Sequence, residues 1–220
     1  MAAMSHPLVT TDRTKVRRHT ERGTDDRVTA YEVIDEAYIA HVGFVVDGTP
    51  RVLPMTYGRD DDVLYLHGAV GNAMLRASIG APVCVTITLL DGLVLARSAF
   101  HHSMNYRSVV LLGEAVKVED EAEKRRAFDV IVEHVLTGRT AVARPATSEE
   151  LRKTLVLALP IDEGSAKVRS GGPLDDEEDM DLPVWAGVVP LRLTPGEPVQ
   201  DTAQVAGLPV PVVQGAGRSR

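Results

Sequence analysis

The chain has 220 residues, a mass of 23.8 kDa and a formal net charge of −7, which fits one domain with a sizeable core. The acidic excess argues against general binding to nucleic acid or to anionic membranes, and the one cysteine, Cys84, excludes an internal disulfide. The sequence has neither a signal segment nor a long apolar run, so we expect a cytoplasmic protein without a membrane span.

The first part of the chain changes from a helical to a strand-like pattern near residue 41. Residues 1–11 lack periodicity and are expected to be flexible. Residues 29–40 predict a helix with Thr29 as its N-cap. Three antiparallel strands are predicted next, at residues 41–46, 51–58 and 63–67, with turns at Asp47-Gly48 and at residues 60–62.

Two features of these strands indicate a binding site. Pro54 cannot donate a ladder hydrogen bond, which indicates an edge strand, a bulge or a backbone that faces a ligand. The third strand ends at His67-Gly68, and a helix begins near Asn72, where free N–H groups favour an anion such as phosphate. Arg76 could add a full positive charge, although Asn72 could equally cap an ordinary loop.

The second half of the chain predicts more strands and two helices. Residues 83–90 alternate as a strand, and residues 93–100 extend or re-enter the sheet. Residues 98–115 are rich in polar groups: on an extended strand Asn105 and Arg107 share one face, and Tyr106 and Ser108 share the other. The pattern leaves open which face meets a ligand.

The remaining elements complete an α+β pattern on a barrel. Helices are predicted at residues 120–136 and Ser148–Lys153, and strands at residues 154–159, 165–169 and 185–193. The acidic run LDDEEDMD before the last strand is interpreted as a solvated turn. The Pro- and Gly-rich residues 195–220 are expected to form a flexible tail, which leaves residues 12–194 as the domain.

Four segments together resemble a known family: RVLPMTYG, LYLHGAVGNAML, the run from VCVTITLL to NYRSVVLLG, and LPVWAGVVPL. They are similar to the flavin-nucleotide-binding split barrel of the pyridoxamine 5′-phosphate oxidase superfamily, in its nitroimidazole-reductase-like branch. The resemblance implies a six-stranded antiparallel split β-barrel with a few flanking helices. It also implies a homodimer with one FMN in each of two clefts between the subunits.

The resemblance also implies the cofactor-binding residues. Four residues of one strand would run beside the isoalloxazine ring, others would pass the ring and ribityl chain or surround the phosphate, and a tryptophan would reach the flavin of the partner subunit. In chain order these are Val52, Leu53, Pro54, Met55, Leu66, His67, Gly68, Asn72, Met74, Leu75, Asn105, Tyr106, Arg107, Ser108 and Trp185. The cation at the phosphate stays open between Arg76, Arg107 and an N-terminal arginine.

The function that the resemblance implies is reduction of a small planar acceptor, such as a nitro-heterocycle or a quinone, with reduced nicotinamide. His67 is the candidate catalytic residue, with a purely structural hydrogen bond as the alternative. Oxidation of pyridoxamine phosphate, or a flavin or haem carrier without turnover, are alternative functions, and a deazaflavin could replace FMN. We expect no metal site, because His101 and His102 point to opposite faces and no acid or cysteine is spaced with them.

Overall fold

The computed structural model describes residues 6–203 and 207–213, so parts of both expected flexible segments lie outside the described residues. Four helices and eleven strands occur in the described part. The helices are α1 (Arg27–Glu36), α2 (Ala73–Ala77), α3 (Glu121–Val135) and α4 (Ser148–Lys153). The strands are β1 (Gly23–Thr24), β2 (Ala40–Val46), β3 (Thr49–Met55), β4 (Tyr57–Asp60), β5 (Val63–Ala69), β6 (Pro82–Leu95), β7 (Ser103–Glu114), β8 (Val116–Lys117), β9 (Thr154–Pro160), β10 (Glu163–Arg169) and β11 (Gly187–Pro190).

The strands form two antiparallel sheets. The larger sheet has the order β1-β10-β7-β6-β2-β3, and β11 also pairs with β6; the smaller sheet has the order β4-β5-β9-β8. Along β6, β2 pairs with residues 84–87 and β11 pairs with residues 92–95. This architecture confirms the predicted α+β split-barrel class, although the described residues contain eleven strands in place of the six that the resemblance implies.

Two apolar cores hold the layers together. The main core lies between the two sheets and α1, and includes the fully buried Ile34, Leu66 and Ile87. A second core lies between the smaller sheet and α3, where Tyr65 packs with Ile131. The Tyr57 hydroxyl donates to the carbonyl oxygens of Ile34 (2.5 Å) and Ala37 (2.9 Å), which joins the smaller sheet to the end of α1.

Several predicted elements are confirmed. Helix α3 begins after Asp120, whose carboxylate accepts from the Glu123 N–H at 2.7 Å, and α4 has the predicted bounds. Asp47 and Gly48 both have positive φ angles, 50° and 71°, as the tight turn between β2 and β3 requires. Pro54 does lie on an edge strand, because β3 pairs only with β2.

Three predicted boundaries are wrong. The N-cap of α1 is Asp26 rather than Thr29, because the Asp26 carboxylate accepts from the Thr29 N–H at 2.9 Å. Residues 51–58 do not form one strand; the chain leaves the larger sheet after Met55 and enters the smaller sheet at Tyr57. The last strand spans only Gly187–Pro190, so Trp185 precedes it.

The interpretation of the acidic run as a solvated turn is also wrong in part. The Asp175 side chain is only 1% exposed, and it accepts from the Arg97 backbone N–H at 2.8 Å and from its guanidinium at 2.9 Å. Burial alone would raise the pKa of Asp175, but these hydrogen bonds lower it below the ordinary value. Asp176 pairs with His101 at 3.0 Å, so the run is anchored to the turn between β6 and β7.

The ends of the described chain behave differently. Leu8 is 2% exposed and its N–H donates to the Asp25 carbonyl at 2.8 Å, so packed contacts extend to the N-terminal side of residue 12. Residues 195–203 and 207–213 contain no helix or strand. None of the helices described is both long and apolar enough to cross a bilayer.

The contact between α3 and β4 depends on Gly58. A Cβ at this position would lie 2.9 Å from the Ile131 nitrogen and 3.0 Å from its Cα, and helix backbone cannot move aside easily. We therefore expect Gly58→Ala to lower the free energy of unfolding by about 1–3 kcal/mol, measured by urea denaturation. Gly71→Ala is the control, because its Cβ would have nothing within 4 Å; equal losses in both variants would contradict the packing argument.

Candidate functional site

Strand β3 presents an open edge and an exposed face. Leu53 and Met55 pack against the main core, whereas Val52 is 64% exposed and Pro54 is exposed. Because β2 is the one described strand that pairs with β3, the backbone groups of its other edge have no strand partner within residues 6–203 and 207–213. The strand can therefore offer main-chain hydrogen bonds along one edge and apolar side chains on one face.

A groove of about 370 Å³ begins beside this strand. Its lining is mostly small and apolar, and it also includes the charged residues Arg13, Arg51 and Glu114. The small and apolar lining residues are Gly43, Phe44, Val45, Pro50, Val52, Pro82, Val83, Cys84, Leu112 and Gly113. Among the predicted site residues only Val52 lines the groove, because the groove lies toward the β2–β3 turn.

His67 faces away from the main core. Leu66 is fully buried in that core, and the next residue, His67, lies on the α3 side of the smaller sheet with its ring centroid 6.2 Å from that of Phe128. The His67 Nδ1 atom is buried and has no hydrogen-bond partner in the part of the chain that the structure describes. Burial lowers the pKa of His67, so its imidazole is neutral near pH 7 and can donate or accept a proton or a hydrogen bond.

The start of α2 is already capped. The Asn72 side-chain oxygen accepts from the Met74 N–H at 3.0 Å and from the Leu75 N–H at 3.2 Å. These two donors are therefore occupied, and Leu75 itself is fully buried. Gly68 lies directly against this turn, since a Cβ there would be 2.5 Å from Leu75 Cδ1. Arg76 is exposed and makes no ion pair within the described residues.

Arg107 is held by two carboxylates. Its Nη1 and Nη2 donate to Glu36 at 2.5 and 2.9 Å, and its Nε and Nη2 donate to Asp91 at 3.0 and 2.8 Å. These hydrogen bonds raise the pKa of Arg107 above its ordinary value. Asp91 is the bulge residue at the register shift between Leu90 and Gly92 of β6. Arg107 therefore joins α1, β6 and β7, and its donors are largely occupied.

Asn105 lies beside a residue that the sequence analysis missed, Arg169. Asn105 is 9% exposed; its Nδ2 donates to the Gly171 carbonyl at 3.1 Å and its Oδ1 accepts from Arg169 Nη1. Arg169 is 6% exposed and forms no ion pair in the described part of the chain. The sequence did not indicate a role for Arg169, which ends a predicted strand. Two of its acceptors are backbone carbonyl groups of a turn, and such acceptors leave no pattern in the sequence.

The other predicted site residues lie apart from these. Trp185 is 64% exposed, and its ring rests on Gly187, where a Cβ would lie 2.9 Å from the ring. Ser108 Oγ donates to the Lys167 carbonyl at 3.5 Å, and Tyr106 lies opposite Leu90. The predicted residues thus lie on β3, on β5 with α2 and on β7, with Trp185 alone before β11, and His67 and Asn105 belong to different sheets.

The match to a family profile decides the family. The profile described as pyridoxamine 5′-phosphate oxidase matches residues 26–168, which include the smaller sheet and most of the larger sheet. The chain belongs to the pyridoxamine 5′-phosphate oxidase family. A search of curated proteins found no match.

Three solved structures are similar to this chain. The flavocytochrome Anf3 from Azotobacter vinelandii is 39% identical, with 93% of this chain and 96% of that chain covered and a TM-score of 0.87. An FAD and heme binding protein from Mycobacterium smegmatis is 40% identical, with 86% and 94% covered and a TM-score of 0.82. A Bacteroides thetaiotaomicron protein proposed to confer 5-nitroimidazole antibiotic resistance is 29% identical, with 66% and 86% covered and a TM-score of 0.55.

The burial of His67 predicts a pH-dependent stability. Its pKa in the folded chain is below the ordinary 6.5, so the unfolded chain binds a proton more readily. The neutral imidazole contributes to the free energy of unfolding above about pH 6.5, and this contribution decreases as the pH falls toward the pKa of His67 in the folded chain. We expect His67→Gln to lose less stability than the original chain between about pH 7 and pH 5, measured by urea denaturation. The exposed His41→Gln is the control; a pH dependence unchanged by His67→Gln would contradict the prediction.

The position of Arg107 predicts a structural role. Arg107→Ala leaves Glu36 and Asp91 facing each other without their shared cation, so we expect the free energy of unfolding to fall by about 2 kcal/mol. Arg107→Lys should recover only part of this loss, because an ammonium group cannot donate paired hydrogen bonds to both carboxylates at once. Denaturation and flavin titration are measured on the same variants. Weaker flavin binding with unchanged stability would instead make Arg107 a ligand of the cofactor.

Proposed function

We propose that this protein binds a flavin nucleotide and acts as a flavin-dependent oxidoreductase. The observation that carries the proposal is the 39–40% identity, over 86–93% of this chain, to a flavocytochrome and to an FAD and heme binding protein. We propose FAD rather than FMN as the flavin, because the similar mycobacterial protein binds FAD and heme. The acceptor that we propose is a small planar molecule, a nitro-heterocycle or a quinone, electrons being supplied by reduced nicotinamide.

The residues of β3 fit the ring of a flavin. A flavin ring needs an apolar surface on its face and hydrogen bonds at its polar edge. Val52 and Pro54 supply exposed apolar surface, and the open edge of β3 supplies backbone groups beside it. The phosphate end fits less well at α2, because Asn72 occupies two of the N–H groups there. The cation for the phosphate must therefore come from an arginine outside that turn.

We also propose that the working unit is a homodimer that completes the cofactor site. The described chain exposes large apolar side chains around the larger sheet, including Val45 (60%), Val52 (64%), Phe100 (87%) and Trp185 (64%). Exposed apolar surface of this kind is typical of association surfaces. A second copy could cover these residues and bring a further surface to the exposed Val52 and Pro54 of β3.

The chemistry of the chain's own residues would be limited to positioning and proton handling. A bound flavin supplies the electron or hydride transfer. Val52 and Pro54 would contact the ring and keep water from it, and the edge of β3 would orient it. His67 is neutral near pH 7, so it can give a hydrogen bond to an acceptor or take one from a donor next to the cofactor.

Haem binding is a second candidate function, which His67 favours. A histidine binds haem iron through the free nitrogen of a neutral imidazole, and burial next to Phe128 keeps His67 neutral. Within the described residues the buried Nδ1 of His67 has no hydrogen-bond partner. We expect a Soret band after reconstitution with haem, and its loss or shift in His67→Ala. An unchanged Soret band in His67→Ala, with His41→Ala as the control, would exclude His67 as the ligand.

The flavin proposal is tested by the spectrum and the released cofactor. We expect the purified or reconstituted protein to show two flavin absorption bands and to release FAD on denaturation, identified by chromatography. Val52→Glu should weaken flavin binding by about tenfold or more, because it places a carboxylate against the apolar ring. Val28→Glu is the matched control, since Val28 is similarly exposed (54%) but lies on α1.

Steady oxidation of reduced nicotinamide with an added nitro-heterocycle or quinone separates an enzyme from a carrier. A flavin-loaded protein that consumes no reduced nicotinamide with either acceptor would contradict the oxidoreductase proposal. Failure to bind any flavin would contradict the proposal as a whole. Sedimentation of the original chain and of Val52→Glu tests the dimer, which a monomer at all concentrations would exclude.

A further inference from the structure

Arg169 is a buried cation without an anionic partner. The residue is 6% exposed at the end of β10, and no carboxylate of the described residues pairs with it. Burial, reinforced by the positive charge of Arg22, lowers the pKa of Arg169. A buried charge that lacks a counter-ion is energetically costly. A chain with a net charge of −7 has many carboxylates, yet none is placed here.

The groups that contact Arg169 are all neutral. Nη1 donates to Asn105 Oδ1 and, at 3.4 Å, to the Gly171 carbonyl, and Nη2 donates to the Gly172 carbonyl at 3.2 Å. Nε is buried and has no partner. Asn105 also donates to the Gly171 carbonyl, so this turn and Asn105 hold the guanidinium in place. Nε–H and one Nη2–H have no acceptor among the described residues, and Nε is buried, so an anion that reaches this edge must displace part of the surrounding turn.

Other arginines of the chain show what this edge binds. Arg59 donates through Nε and Nη2 to both oxygens of Asp35, at 2.8 and 2.6 Å. Arg107 uses the same two nitrogens for Asp91, at 3.0 and 2.8 Å. The side-on edge of a guanidinium matches two oxygens of one carboxylate or phosphate. At Arg169 this edge has no such partner.

Two more unpaired polar atoms lie in the segment that is tied to this turn. Arg97 Nε and Ser98 Oγ are buried without a hydrogen-bond partner. Asp175, three residues after Gly172, fixes this segment by accepting from the Arg97 backbone and side chain. Buried donors without acceptors indicate an ion, a water or a ligand that completes them.

We propose that Arg169, held by Asn105 and by the carbonyl groups of Gly171 and Gly172, is an anion-binding site that takes a carboxylate or phosphate group through its Nε and Nη2 edge. The occupant is an oxyanion with two oxygens available to one guanidinium. This site goes beyond the proposed function, because it requires an anion but no particular flavin.

Two sources of the oxyanion are distinguishable. A phosphate of the nucleotide cofactor would make flavin affinity depend on Arg169. The carboxylate of a substrate or of a haem would leave flavin affinity unchanged and would bind to the flavin-loaded protein. Both outcomes support an anion site at Arg169 and assign its occupant.

The first experiment uses the full chain without added cofactor. Inorganic phosphate and acetate are titrated separately while the arginine Nε–H resonances are followed by NMR. We expect one slowly exchanging Nε–H signal, absent from Arg169→Lys, to shift and saturate with at least one of the two anions. No saturable shift of that signal with either anion would overturn the proposal.

The variants distinguish the paired N–H donors of Arg169 from its positive charge as the cause of anion binding. Arg169→Lys keeps the charge but loses the paired donors, so anion affinity should fall by about tenfold or more. Lys167→Gln is the matched control, because it removes one positive charge two residues away on β10. Equal losses of anion affinity in Arg169→Lys and Lys167→Gln would overturn the proposal that the Nε and Nη2 edge of Arg169 binds the anion. Asn105→Ala should also weaken anion binding, since it frees Arg169 Nη1.

A second copy of the chain could offer its own carboxylate to Arg169. In that case Arg169→Gln would weaken the dimer in sedimentation experiments, and neither anion would shift the Nε–H signal of the original chain. This combination would overturn the proposal. Flavin binding, measured separately by absorbance, does not enter either result, so its failure leaves the anion titration interpretable.

Discussion

The ion-pair cluster of Arg107 with Glu36 and Asp91 joins three parts of the fold. Asp91 is the extra residue of a bulge, and the bulge divides β6 into a half that pairs with β2 and a half that pairs with β11. Glu36 is the last residue of α1, which covers the main core. One planar guanidinium therefore fixes the bend of the longest strand and the end of the helix over it. Because bidentate geometry is directional, a lysine could not define all three positions.

The polar atoms that the fold leaves unpaired are the strongest indication of function. His67 Nδ1 and Arg169 Nε are buried without partners, whereas most buried polar groups in folded proteins have one. Each lowers the stability of the isolated chain, so each is better explained by a ligand than by packing. His67 belongs to the smaller sheet and Arg169 to the larger one.

Local patterns predicted much of the fold but less of the site. The caps at Asp120 and Thr147 and the Asp47-Gly48 turn act over a few residues, so α3, α4 and the β2–β3 turn could be read from sequence. The break between β3 and β4 could not, because periodicity continues across Thr56 while the chain changes sheets. Likewise, the partners of Arg107 lie 16 and 71 residues away in the chain, and no spacing rule reaches so far.

The two prolines of β3 limit the pairing of its free edge with strands of other molecules. Pro50 and Pro54 have no N–H, so the ladder with β2 can accept them only where the backbone groups of residues 50, 52 and 54 point outward. The outward edge then carries three carbonyl oxygens but only the N–H of Val52. A strand from another molecule that paired with this edge could accept only one hydrogen bond from it. The edge therefore disfavours strand addition and aggregation. Its carbonyl oxygens remain free to accept hydrogen bonds from a small molecule.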